Sequence, residues 1–98
     1  MFTLSIEHAI VDLASWKSAF DRFVDARAKG GVVGERIRRP VGDPRHLVIE
    51  LEFESKERAE SFSQFLTNVV WTNPDASPAL VGRPTTRILE PVLSVNLP

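Results

Sequence analysis

The stretch from Val32 to Glu54 constrains the fold most. In residues 32–39 and 46–54 apolar and polar side chains alternate with period two. The intervening Pro40-Val41-Gly42-Asp43-Pro44-Arg45 is turn chemistry. The pattern predicts a β-hairpin. With like faces together, Leu47, Ile49, Leu51 and Phe53 share one side with Val33 and Ile37, while Arg36 and Arg38 lie opposite Glu50 and Glu52 on the other. One side of this sheet needs a roof and the other is a lattice of opposite charges. Glu35 breaks the parity by falling on the apolar side, where an edge strand or a bulge would release it to water.

The rest of the chain supplies the roof. Phe2 to His8 alternates and predicts a first strand with Phe2, Leu4, Ile6 and His8 on one face. Asp12 stands as a helix N-cap, and Leu13, Trp16, Phe20, Phe23, Val24 and Arg27 recur at helical spacing, so a helix is expected from about Leu13 to Lys29, closed by Gly30-Gly31. Ser55 caps a second helix whose stripe is Ala59, Phe62, Phe65, Leu66, Val69 and Val70. Pro74 and Pro78 break the chain after Trp71; 79–82 reads as a short helical turn and 84–92 as an edge strand bounded by prolines. The order is βαββαβ. A single core requires both helices on one sheet face, and right-handed crossovers then favour a ferredoxin-like α+β sandwich of strand order 4-1-3-2.

Composition narrows the function classes. Ninety-eight residues suit one domain with one core, spanning residues 1–98. Twelve basic against thirteen acidic side chains give a net charge of −1, which provides no electrostatic footprint for nucleic acid or an anionic membrane. No apolar run approaches the roughly 18 residues of a membrane span, and Met1 leads directly into a strand pattern, so a cytoplasmic location is expected. Without cysteine there is no disulfide, thiolate nucleophile or thiolate metal site. No close-spaced ligand pattern points to a metal, and Gly30-Gly31-Val32-Val33-Gly34 follows a helix where a dinucleotide loop would open one. No cofactor is implied.

Several residues together resemble the dimeric α+β barrel superfamily, the ferredoxin-like group that includes antibiotic-biosynthesis-monooxygenase-type domains. They are His8 ahead of Asp12, Trp16, Lys17 and Phe20; Arg27 before Gly30-Gly31; Asp43-Pro44; Ala59 with Phe62; and Val81-Gly82-Arg83-Pro84 leading to Glu90. The resemblance spans nearly the whole chain. It implies a homodimer whose sheets pair face to face, often with exchanged C-terminal segments, and a pocket for a small apolar or aromatic ligand between each sheet and its helices. Haem-degrading members use an Asn, a Trp and a haem-ligating His; this chain has no Asn in strand one and no His in helix two, so haem degradation is not expected.

Topology gathers His8, Asp43, Arg45, His46, Trp71, Asn73 and Asp75 near one rim. His8 is the candidate catalytic residue, a titratable ring at the margin of an apolar face that can act as a base or bond a ligand. It can equally cap the core and bond a backbone carbonyl. Ligand contacts are expected from His8, Phe20, Arg27, Trp71 and Asn73. Trp71 suits either a plug on the core or a lid over a pocket, and Trp16 and Phe20 sit on the core stripe. Arg27 can lay its stem on apolar surface while its head reaches the helix carbonyls or an anion. A dimer interface is expected on the outer sheet face, where Glu7, Arg36, Arg38, Glu50, Glu52 and Arg87 place three Arg and three Glu per chain. The function these features suggest is a homodimeric small-molecule-binding protein with cofactor-independent monooxygenase-like or cyclase-like chemistry, or else a non-catalytic dimerisation module. No reaction can be read from the residues themselves.

Overall fold

A computed structural model describes residues 1–97. Strands β1 (Phe2–Ile10), β2 (Val32–Arg38), β3 (His46–Phe53) and β4 (Leu80–Leu89) form one antiparallel sheet in the order β2-β3-β1-β4, the expected 4-1-3-2 arrangement read from the other edge. Helices α1 (Leu13–Arg22), α2 (Val24–Lys29) and α3 (Lys56–Phe65) complete a ferredoxin-like fold. The sheet contributes Leu4, Ile6, Ile10, Leu47, Ile49, Leu51 and Phe53 to the core, and α3 contributes Ala59 and Phe62. Asp12 caps α1 as expected, its Oδ1 accepting from the Ser15 amide at 2.7 Å, and Ser55 Oγ caps α3 by accepting from the Arg58 amide at 3.2 Å.

The first helix is broken at Phe23, which leaves helical geometry with φ −101° and ψ 17°. The Phe23 amide donates to Phe20 O at 3.1 Å, three residues back, and Nη1 of Arg27 donates to the same oxygen at 2.6 Å. A side chain thus takes part of the role of the helical ladder at the joint. Gly31 closes α2 with φ +94°, whereas Gly30 has an ordinary φ of −73° and is needed for space, since a Cβ there would lie 2.6 Å from Phe62 Cδ1.

Three further expectations are corrected. A bulge between Val32 and Gly34 puts Val32 on the core and turns Val33 outward, 53 % exposed. The second helix does not stay α-helical to Val70: after Phe65 it widens to a π-helical turn, Leu66–Val70, in which the Trp71 amide donates to Leu66 O at 2.8 Å, five residues back. Residues 80–82 are strand. β1 runs two residues past His8, so that Ala9 and Ile10 pair Val81 and Leu80, and the Val11 amide donates to Ala79 O at 2.9 Å. Between Glu7↔Thr85 and Ala9↔Val81, β4 carries a bulge containing Gly82 (φ +73°) and Pro84. Among the described residues no helix is long and apolar enough to cross a membrane.

Candidate functional site

Between the helices and the sheet lies a cavity of about 80 Å³, partly open to solvent, and its wall is almost wholly apolar. The sheet floor comes from Ile6, Ile49 and Leu51. Trp16, Phe20 and Phe23 line one side and Phe62, Phe65 and Trp71 another, so six aromatic rings face one small space. Trp16 stacks on Phe20 with centroids 4.6 Å apart, and Phe62 is tilted against Phe65 at 5.6 Å.

His8 is the polar group that alternation aims at this cavity. Its register partner is Leu47, on the core side of the sheet, and only 6 % of the residue is exposed. Nδ1 lies 2.9 Å from Ala9 O, and a carbonyl can only accept, so Nδ1 carries the proton. Burial holds the ring's pKa below its usual value; the bond to Ala9 O opposes this and nearby His46 adds to it. The ring is therefore neutral at pH 7 with a lone pair on Nε2. Nε2 makes no hydrogen bond among the described residues and is not a sealed, unpartnered atom, and His8 is one of the residues that line the cavity. A neutral imidazole nitrogen in an aromatic pocket accepts a hydrogen bond from a hydroxyl or takes its proton. The β4 bulge lies opposite His8, which has no register partner on that strand.

Arg27 lines the same cavity, and two of its three guanidinium nitrogens are engaged. Nε donates to Glu35 Oε2 at 2.8 Å, Nη1 donates to Phe20 O, and Cζ sits 3.5 Å from the Phe20 ring centroid. Two residues on the wrong parity thus meet: Glu35 stays exposed on the edge strand β2, as expected, and its Oε2 also accepts from Arg27. Of the expected ligand residues, His8, Phe20, Arg27 and Trp71 come together in the wall. Asn73 does not; it is exposed in the loop, where its Oδ1 accepts from the Asp75 amide at 3.0 Å. Two segments of the expected rim meet at the end of β1, where Arg45 O accepts from the Ile10 amide at 2.9 Å; Asp75 O instead accepts from Arg22 Nη2, at the far end of α1, at 3.3 Å. Ser77, in the proline-rich loop, also lines the wall, and nothing in its sequence context signals this. Among the described residues no three His, Asp or Glu side chains are grouped as metal ligands would be.

The opposite sheet face carries all six expected interface residues in cross-strand rows. One row is Arg36, Glu50, Ser5 and Arg87, and the next is Arg38, Val48, Glu7 and Thr85. Arg38 therefore faces Val48, not a glutamate, and reaches diagonally to pair with Glu50, which also lies 3.8 Å from Arg36 Nε. The bulge at Val33 sets Glu52 opposite Gly34, and its carboxylate takes a hydrogen bond from Thr3 Oγ1 at 2.9 Å. Glu7 and Arg87 have no ion-pair partner among the described residues.

In sequence, no family model matches the chain, and neither does any curated protein. In structure it is similar to a dimeric ferredoxin-like protein from an uncultured marine organism (TM-score 0.65, 16 % identity, 96 % of this chain and 97 % of that one). It is also similar to a Bordetella bronchiseptica protein described as a candidate antibiotic biosynthesis monooxygenase (0.70, 11 %, 94 % and 98 %). A third likeness is to the monooxygenase ActVA-Orf6 of Streptomyces coelicolor, solved with nanaomycin D (0.66, 12 %, 98 % and 91 %). The fold is thus the one shared by dimeric ferredoxin-like and antibiotic-biosynthesis-monooxygenase-like proteins.

Proposed function

We propose that the protein is a homodimer that binds a small aromatic molecule bearing a hydroxyl group between its helices and its sheet. The observation that carries the reading is His8: a ring fixed by Ala9 O, with Nε2 unbonded, on a residue that lines a cavity of aromatic rings. Proton removal from a phenolic hydroxyl is the step such a group can perform, and cofactor-independent oxygenation and cyclisation can both begin there. The likeness to a monooxygenase solved with nanaomycin D supports this ligand class, and the name of the marine neighbour supports the dimer. The paired charges of the outer sheet face are the surface on which two copies would meet.

Thermal denaturation with 1-naphthol tests the binding. The wild-type melting temperature should rise with ligand concentration, as any ligand selective for the native state requires, and His8→Ala should abolish the rise. A rise of equal size in the variant removes His8 from the site.

A second reading, a module whose only task is association, is favoured by the cavity's size. About 80 Å³ is roughly half of the ~150 Å³ apolar cavity that admits benzene. It predicts dimerisation in sedimentation equilibrium and no thermal shift with 1-naphthol.

A further inference from the structure

If the pocket takes an aromatic ligand, as the preceding reading holds, one of its walls must move, because the space at rest is too small for a ring. The sheet floor is fixed by the unbroken β1–β3 ladder, with β2 and β4 paired on its two outer sides. The α1–α2 wall is pinned to β2 by the Arg27–Glu35 pair and closed at its joint by Arg27 on Phe20 O. The third wall is built differently. Leu66, Val70 and Trp71 line the cavity from a π-helical turn and the residue that closes it.

The extra residue of that turn can be located by its effect on the helical faces. At 3.6 residues per turn, Trp71 would stand about 140° around the helix from Leu66 and roughly opposite Phe62, while Val69 would fall on the core stripe. In the structure Trp71 lines the cavity and Val69 is 53 % exposed. Hydroxyls soften the main chain nearby: Thr67 Oγ1 donates to Ser63 O and Thr72 Oγ1 to Asn68 O, each at 2.9 Å. The turn is tied to the following loop by Ser77 Oγ, whose proton is shared between Val70 O and Asn73 O at 3.0 Å each.

We infer that the π turn Leu66–Val70 is the pocket's expansion joint, through which Leu66, Val70 and Trp71 move outward together to admit an aromatic ligand. Trp71 is then a wall on a movable mount, which unites the plug and the lid. A regular α-helix one residue shorter would present the same side chains without the slack.

Deleting Val69 makes that comparison. It leaves Trp71 four residues from Leu66, in α register and still facing the cavity. The binding of 1-naphthol, by quenching of tryptophan fluorescence, and the exchange rate of the Trp71 amide should be measured in both proteins. The deletion variant should keep the wild-type circular dichroism, slow Trp71 exchange at least tenfold and bind at least tenfold more weakly. Equal binding by a folded deletion variant, or unchanged exchange, overturns the inference and leaves the pocket standing. No binding by the wild type rejects the pocket reading and the joint with it. Should the deletion variant fail to fold, Ser77→Ala in the full chain releases the tie instead. Trp71 exchange and naphthol association should then each quicken several-fold, and unchanged rates overturn the inference.

Discussion

Replacing Arg27 by methionine tests whether the buried charge organises the helical wall or merely decorates it. Arg27 is 6 % exposed and its guanidinium makes three interactions at once: Glu35 at 2.8 Å, Phe20 O at 2.6 Å and the Phe20 ring at 3.5 Å. A hydrogen bond to a charged partner is worth about 1.5–3 kcal/mol and a cation over an aromatic face about 0.5–2 kcal/mol. Methionine recovers the packing of the aliphatic stem, which reduces the loss. The Glu35 side chain is 37 % exposed and can rehydrate, so the cost stays below the ~3–5 kcal/mol of stranding a sealed charge. The expected destabilisation is about 2–3 kcal/mol, a fall of about 10–20 °C in melting temperature for a domain of this size. Urea denaturation followed by tryptophan fluorescence measures it directly. The double variant Arg27→Met with Glu35→Leu should return to within about 1 kcal/mol of wild type, because no charge is then left without its partner. A single-variant cost below about 0.5 kcal/mol, or two additive single effects, would place the pair with ordinary surface ion pairs and refute the argument.

His8 makes stability pH-dependent with a definite sign. Its folded pKa is held below the unfolded value near 6.5, so below that pH the unfolded chain binds the proton more readily. The contribution is complete above about pH 6.5 and is lost as pH falls toward the folded value; His8→Gln should flatten that part of a melting-temperature profile, and an unchanged slope would show that another group titrates there. Gly30→Ala drives a Cβ to 2.6 Å from the buried Phe62 ring and should cost about 1–3 kcal/mol in urea denaturation, whereas Gly34→Ala meets Glu52 Cβ at an ordinary 3.7 Å and should change stability by less than about 1 kcal/mol. Arg87→Glu puts a like charge beside Glu7 and Glu50, neither of which Arg87 pairs within its own chain, and should weaken the proposed dimer in sedimentation equilibrium; an unchanged dissociation constant would take this face out of the interface.

The sheet was legible because its information is one-dimensional. Leu47, Ile49, Leu51 and Phe53 alternate without interruption, and period two leaves one face for them to occupy. The errors fall where an element gains a residue. The bulge at Val33 and the π turn after Phe65 each add one residue and the bulge at Gly82–Pro84 adds two, insertions that no single residue announces. Phe23 and Val69 are unremarkable helix residues, and what breaks or widens the backbone beside them is a tertiary partner: Arg27 on Phe20 O in one case, the packing of Trp71 in the other.

These irregularities are not scattered at random. The β4 bulge lies across from His8, the α1–α2 joint carries Phe20 and Phe23, and the π turn carries Leu66, Val70 and Trp71, so three backbone departures surround one cavity. Regular elements bury apolar stripes completely, as α3 does with Ala59 and Phe62 over the sheet. A space survives between them only where the spacing is altered, and each alteration must then be held by a specific polar contact: Arg27 Nη1 on Phe20 O, Ser77 Oγ on Val70 O, His8 Nδ1 on Ala9 O. The residues that looked anomalous in the sequence, a histidine and an arginine on apolar stripes and a glutamate on the wrong parity, are the ones that sustain the pocket.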